Sequence, residues 1–159
     1  MTVRLIVEGG PYAGVSRARV VRRAQAMLDA LQTPDSELSV LLTGDDQIKL
    51  LNRTYRKKNR STDVLAFAQR EGRLGDRAGP LLGDLVLSVP TAARQAGERG
   101  VDLTSELTML LAHGLLHLVG WDHDTDSKDR RMRRETERLC VAAGAADRPR
   151  ARPAGVKRR

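Results

Sequence analysis

The stretch DLTSELTMLLAHGLLHLV, residues 102 to 119, limits this chain more than any other. Leu107, Met109, Leu110, Leu111, Leu115, Leu116 and Leu118 leave no wide polar face, so the segment predicts a central buried helix around which the rest must pack. The same helix carries His113 and His117. Two unpaired imidazoles in such surroundings cost free energy, because nothing replaces the water they lose.

The chain has three histidines, and all of them fall within HGLLHLVGWDH, residues 113 to 123. A spacing of four places His113 and His117 one above the other on a helix face, where two nitrogens converge on one ion. Gly120 follows where a helix ends on a left-handed residue, and the reversal there brings in His123 as a third ligand. Three neutral imidazoles without a cysteine ligand describe an open zinc site, since structural zinc fills all four positions with protein groups. Water takes the fourth place and can ionise near neutral pH. Imidazoles suit several transition metals, so the ligand set alone leaves the physiological metal open. The plainer alternative, one histidine on a carbonyl, one in the core and one at the surface, leaves the cost of the buried pair unanswered. The spacing also matches the extended zinc signature of metzincin peptidases. Those enzymes place Glu after the first His to activate water, and here that position is Gly114, which argues against peptide hydrolysis.

Around this helix the pattern alternates. VRLIV at 3 to 7 reads as a strand, and from the N-cap Ser16 apolar residues recur at Val20, Val21, Ala24, Met27, Leu28 and Leu31 until Thr33 and Pro34 close a helix. ELSVLLT at 37 to 43 is a second strand, followed by a helix capped near Asp45. TDVLAFA and LLGDLVLS are strands able to pair as a hairpin, and the glycine-rich, charged loop from Gln69 to Gly79 between them reads as mobile. Pro90 opens the next helix, and Asp126 to about Ala143 forms a last, highly charged one. The expectation is a single compact α+β domain over residues 1 to 145, with a mixed sheet of about four strands packed with about five helices.

The length of 159 residues suits one domain, and the formal charge of +8 invites a nucleic-acid reading. Residues 147 to 159 hold six of the 28 basic and one of the 20 acidic side chains, so 22 against 19 leaves +3 for the remainder. Residues 146 to 159 read as a basic, disordered tail, either an RNA-gripping arm or a solubilising extension. Cys140 has no intramolecular partner, and MTVRLIVEGGPYAG shows no secretory pattern, which together predict a reduced, cytoplasmic protein. Charged residues or Gly interrupt every apolar run short of a membrane span.

HGLLHLVGWDH at 113 to 123, LNRTYRKKNRSTDVLAF at 51 to 67 and LLGDLVLS at 81 to 88 resemble the YbeY family of bacterial endoribonucleases, also called rRNA maturation factors. The resemblance spans roughly residues 35 to 140. It implies an α+β fold, one zinc held by His113, His117 and His123, and cleavage of single-stranded RNA in the maturation of small-subunit rRNA 3′ ends and in ribosome quality control. Ribosomal RNA, ribosomal subunits and assembly proteins are the implied partners, with no membrane. Arg56 corresponds to the arginine that the family places near the metal, and a guanidinium suits the charge gathering on a phosphate during displacement. Arg53, Lys57, Lys58 and Arg60 read as a track for the RNA backbone, or equally as a solvated helix end. Asp63, Asp84 and Asp122 are placed to orient a ligand histidine, though Asp63 and Asp84 would equally cap turns. Asp124 and Asp126 also crowd the metal run, and Ala66 stands where the family's strand motif commonly has Ser. Two alternatives stay open: a noncatalytic, zinc-containing ribosome-assembly or RNA-binding factor, and, more weakly, a zinc metallopeptidase.

Overall fold

A computed structural model of the chain describes residues 3–69, 81–121 and 123–147. Its elements run β1 (Val3–Val7), α1 (Arg17–Ala30), β2 (Glu37–Thr43), α2 (Asp45–Arg56), β3 (Val64–Ala68), β4 (Leu81–Ser88), α3 (Val89–Arg99), α4 (Leu103–Leu118) and α5 (Asp126–Ala145). The sheet has the order β1-β2-β4-β3, with β1, β2 and β4 parallel and β3 antiparallel to β4. This is the mixed four-stranded α+β domain with five helices expected above. The glycine-rich loop (apart from Gln69), most of the basic tail and Asp122 lie outside the described residues. Among the described residues no helix is long and apolar enough to cross a membrane.

Alternation along the strands decides what each sheet face holds. Leu38, Val40, Leu42, Leu85 and Leu87 point to one face and join Leu107, Leu111, Leu115 and Leu116 of α4 in the main core. Helices α1 and α5 close around α4 through Met27, Leu28, Met132 and Leu139, which makes α4 the buried centre that its composition predicts. Among the described residues the opposite face is only partly roofed. There α2 packs Ile48 on Leu65 and Val86, supported by Leu41, Leu51 and Phe67.

Two helix ends differ from the sequence reading. Helix α1 stops before Thr33 and Pro34, because Gln32 adopts a left-handed conformation (φ 60°) while Gln32 and Thr33 donate their N–H groups to Asp29 and Leu28. Helix α2 has Gly44 as its N-cap with no side-chain bond, and Asp45 stands inside the first turn. Its carboxylate is used elsewhere. Oδ1 accepts hydroxyl hydrogen bonds from Thr91 (2.6 Å), Ser61 (3.3 Å) and Ser88, and Oδ2 pairs with Arg94 at 3.2 Å. One carboxylate thus ties the starts of α2 and α3 to the end of β4. Burial pushes the Asp45 pKa up, but the Ser88, Thr91 and Arg94 interactions outweigh it and hold the carboxyl below its ordinary value.

A group depressed in the folded state stabilises fully above its unfolded pKa, and that contribution is lost as pH falls through the lower, folded value. Asp45→Ala is therefore expected to cost about 1–3 kcal/mol near neutral pH and less in acid, as urea unfolding at several pH values would read.

Candidate metal centre

Helix α4 begins at Asp102, whose side chain accepts the Ser105 N–H at 2.7 Å, and ends in a turn that decides the site. The Trp121 N–H donates to the Leu116 carbonyl (2.9 Å) and the Gly120 N–H to that of His117 (3.1 Å), with Gly120 at φ +96°. This pair of bonds defines a Schellman end, and the positive φ explains why Gly stands there. Thr125 then caps α5 by accepting the Lys128 N–H, so the segment carrying His123 is held at both ends.

The three histidines converge. Their nitrogens lie within 4.8 Å of one another, and the Nε2 atoms of His113 and His117 are 3.1 Å apart. Two ligands of a tetrahedral zinc stand about 3.3 Å apart for bonds of about 2.05 Å, so the His113–His117 spacing suits one shared ion, with His123 close enough to join them. Burial lowers the His113 pKa, and the neighbouring His117 and His123 lower it further, while Asp63 and Asp129 oppose them. The ring is therefore held in its neutral form, the one able to ligate.

Gly114 has a steric cause. A Cβ there would stand 2.7 Å from Leu85 Cδ2 and 3.3 Å from Val64 Cγ2, because this side of α4 lies directly on the sheet. The glutamate that metzincins carry at this position would enter the packed core. Gly114→Glu is expected to destabilise the fold by about 3 kcal/mol or more, measured by urea unfolding, and to create no peptidase.

Arg56 is the last residue of α2, followed by Lys57 in a left-handed cap. Its guanidinium donates to the Ala66 carbonyl and lies 5.0 Å from the centre of the Phe67 ring. It lines a cleft of about 470 Å³ that also contains Lys58, Arg60 and His117. The structure thus brings four sequence-predicted residues together. Arg53 and Lys57 are exposed and do not line that cleft.

The aspartates divide. Asp63 accepts the Val64 N–H at 2.8 Å and the Gln95 side-chain N–H at 3.3 Å, so it caps a turn while its charge acts on His113. Asp84 projects from the opposite face of the sheet, paired in register with Phe67 and Ser39. It does not orient a ligand histidine, because strand alternation turns it away from α4. Burial raises its pKa, against a lowering by the Ser39 hydroxyl. Asp124 is ion-paired with Lys128 at 3.3 Å, and Asp126 opens α5.

Two residues escaped the sequence reading. Asn52 is 3% exposed and lines the same cleft, accepting the Lys58 N–H with its carbonyl and donating its side chain to the Arg60 carbonyl (3.0 Å). It shapes the basic loop, and its position four residues after the buried Ile48 was the available signal. Glu106 is 1% exposed, 3.6 Å from the Arg99 guanidinium, and its pKa is raised mainly by burial. Seven residues before His113 on the same helix, it was visible as a charge on an apolar surface.

Comparison with known proteins agrees with this architecture. The solution structure of TM1509 from Thermotoga maritima superposes with a TM-score of 0.59 over 90% of this chain and 89% of that protein, at 23% identity, and so shares the fold. Curated relatives named endoribonuclease YbeY include one from Anaeromyxobacter sp. (strain Fw109-5), 48% identical over 91% of this chain and 73% of its own length. Another, from Geobacter metallireducens, is 45% identical over 82% of this chain and 85% of its own, and one from Aquifex aeolicus is 42% identical over 80% and 83%. The family model described as Endoribonuclease YbeY matches residues 13–144, and with relatives this similar over most of both lengths the chain belongs to the YbeY endoribonuclease family.

Proposed function

We propose that this protein is a zinc-dependent endoribonuclease that cuts single-stranded RNA, acting in the cytoplasm in the maturation of small-subunit rRNA 3′ ends and in ribosome quality control. The observation that carries the reading is a cluster of three histidine nitrogens within 4.8 Å, one of the histidines lining a cleft shared with Arg56, Lys58 and Arg60. His113, His117 and His123 hold the ion, which when bound supplies Lewis acidity and a nucleophile at neutral pH. Arg56 grips nonbridging phosphate oxygens and stabilises the charge that grows on them. Its contacts with Ala66 and Phe67 fix the direction from which it does so. Lys58 and Arg60 hold the backbone on either side of the cut.

Residues 1 to 145 form the nuclease domain in this reading, extended in the structure by Asp147, which pairs with Arg19, Arg22 and Arg23 of α1. The basic residues beyond it add affinity for RNA, and ribosomal subunits with their assembly proteins are the partners. The peptidase alternative loses support from the packing at Gly114.

Arg56→Ala tests the reading against a binding module. Cleavage of single-stranded RNA is expected to fall about 100-fold with zinc content and thermal midpoint retained. Unchanged cleavage would remove Arg56 from the mechanism. RNA binding without cleavage in every clean wild-type preparation would favour the noncatalytic factor.

A further inference from the structure

The sheet face turned away from the histidines carries a second feature that the cleavage chemistry does not use. Among the described residues helix α2 roofs its β3 and β4 side, and beside it lies a groove of about 670 Å³ floored by the strands. The strand register sets out two rungs across that floor. One reads Arg4, Ser39, Asp84, Phe67, and the next Ile6, Leu41, Val86, Leu65. A row that is cationic at one end, carboxylate in its middle and aromatic at the other therefore runs beside an apolar row.

The row is open to solvent at Arg4 and Asp84, and Phe67 at its aromatic end is half-buried beneath α2. Tyr55 on α2 is 64% exposed and meets Phe67 edge-on, with ring centroids 5.6 Å apart at 70°. An exposed aromatic ring held at a fixed angle is a platform for a planar ligand, and leaving it in water has no benefit for the fold. Asp84 stands next to Phe67 in register, about one strand spacing away, and has the Ser39 hydroxyl on its other side. A carboxylate beside an aromatic platform accepts paired N–H donors from the edge of a stacked base. Guanine offers two such donors on one edge, whereas uracil offers one between two carbonyl acceptors that the carboxylate repels.

The groove also borders the histidine-side cleft. Arg56 lines both, and Ala68 lines both with it. A chain of nucleotides leaving the histidine cleft past Arg56 arrives at Tyr55, with Arg4 at the far end of the polar rung to meet the next phosphate. The volume suits a single nucleotide.

We propose that this groove is a nucleobase subsite: it takes an unpaired guanine adjacent to the nucleotides in the histidine cleft, stacked on Tyr55, with its N–H edge on Asp84 and a flanking phosphate on Arg4. The inference rests on the ribonuclease reading and adds to it a base preference and the residues that supply it.

The test is binding, read separately from cleavage. Zinc-loaded, full-length protein is titrated against fluorescein-labelled single-stranded RNAs UUUGUUU and UUUUUUU by anisotropy in the cold, with RNA integrity checked on a gel. The guanine-containing RNA is expected to bind about fivefold tighter or better. Asp84→Asn should abolish that preference, and Tyr55→Ala should weaken binding about fivefold or more while Tyr55→Phe retains it. Circular dichroism and the thermal midpoint of each variant confirm the fold. Equal affinities for the two RNAs, or Tyr55→Ala and Asp84→Asn binding like wild type, overturn the subsite and leave the ribonuclease reading intact. Wild-type protein that binds neither RNA overturns both.

Discussion

Burial of α4 is the constraint on which the rest depends. A helix with Leu107, Leu111, Leu115 and Leu116 all but sealed from water must be enclosed, and the sheet beneath it with α1 and α5 beside it provide the enclosure. Placing histidines on that helix makes desolvation part of the chemistry. Burial favours neutral His113, whose Nε2 lies 3.1 Å from that of His117, a spacing suited to sharing one cation. The same close packing excludes a side chain at Gly114, so the helix that presents the histidines leaves no room for the glutamate of a peptidase.

Much of this was legible in the sequence because it follows from local rules. Apolar periodicity located α1 and α4, β-branched and leucine runs located the strands, and the glycine after His117 announced the turn that returns His123. The convergence of the three histidines was readable for the same reason: two share a helix turn and the third follows a short, defined reversal. What stayed hidden depends on contacts distant in sequence. Asp45 looked like a helix cap, and only the meeting of α2, β4 and α3 gives its carboxylate Ser88, Thr91 and Arg94. Asp84 looked like a partner for a histidine, and strand alternation fixes that it faces the other side of the sheet. The end of α1 at Ala30, before the left-handed Gln32, went unseen because a left-handed non-glycine residue leaves little trace in composition.

Arg56 joins the two halves of the functional surface. It ends α2, rests on Phe67 and borders both the histidine cleft and the open groove. A single guanidinium at such a junction would relate the proposed phosphate contact on one side to the proposed base subsite on the other. Asn52 supports the arrangement from beneath, since its side chain and carbonyl hold the loop from which Lys58 and Arg60 project. The fold thus gathers three histidines, two half-buried on α4 and one exposed after its end, beside a basic rim, an arrangement that could hold a metal ion next to a nucleic-acid strand.

The most direct test of the central claim couples metal analysis to RNA cleavage on untagged protein. The account predicts about one zinc per chain, loss of cleavage when it is stripped, recovery when zinc returns, and no recovery in His117→Ala. Full-rate cleavage by metal-stripped protein, or by a folded variant lacking all three histidines, would contradict it.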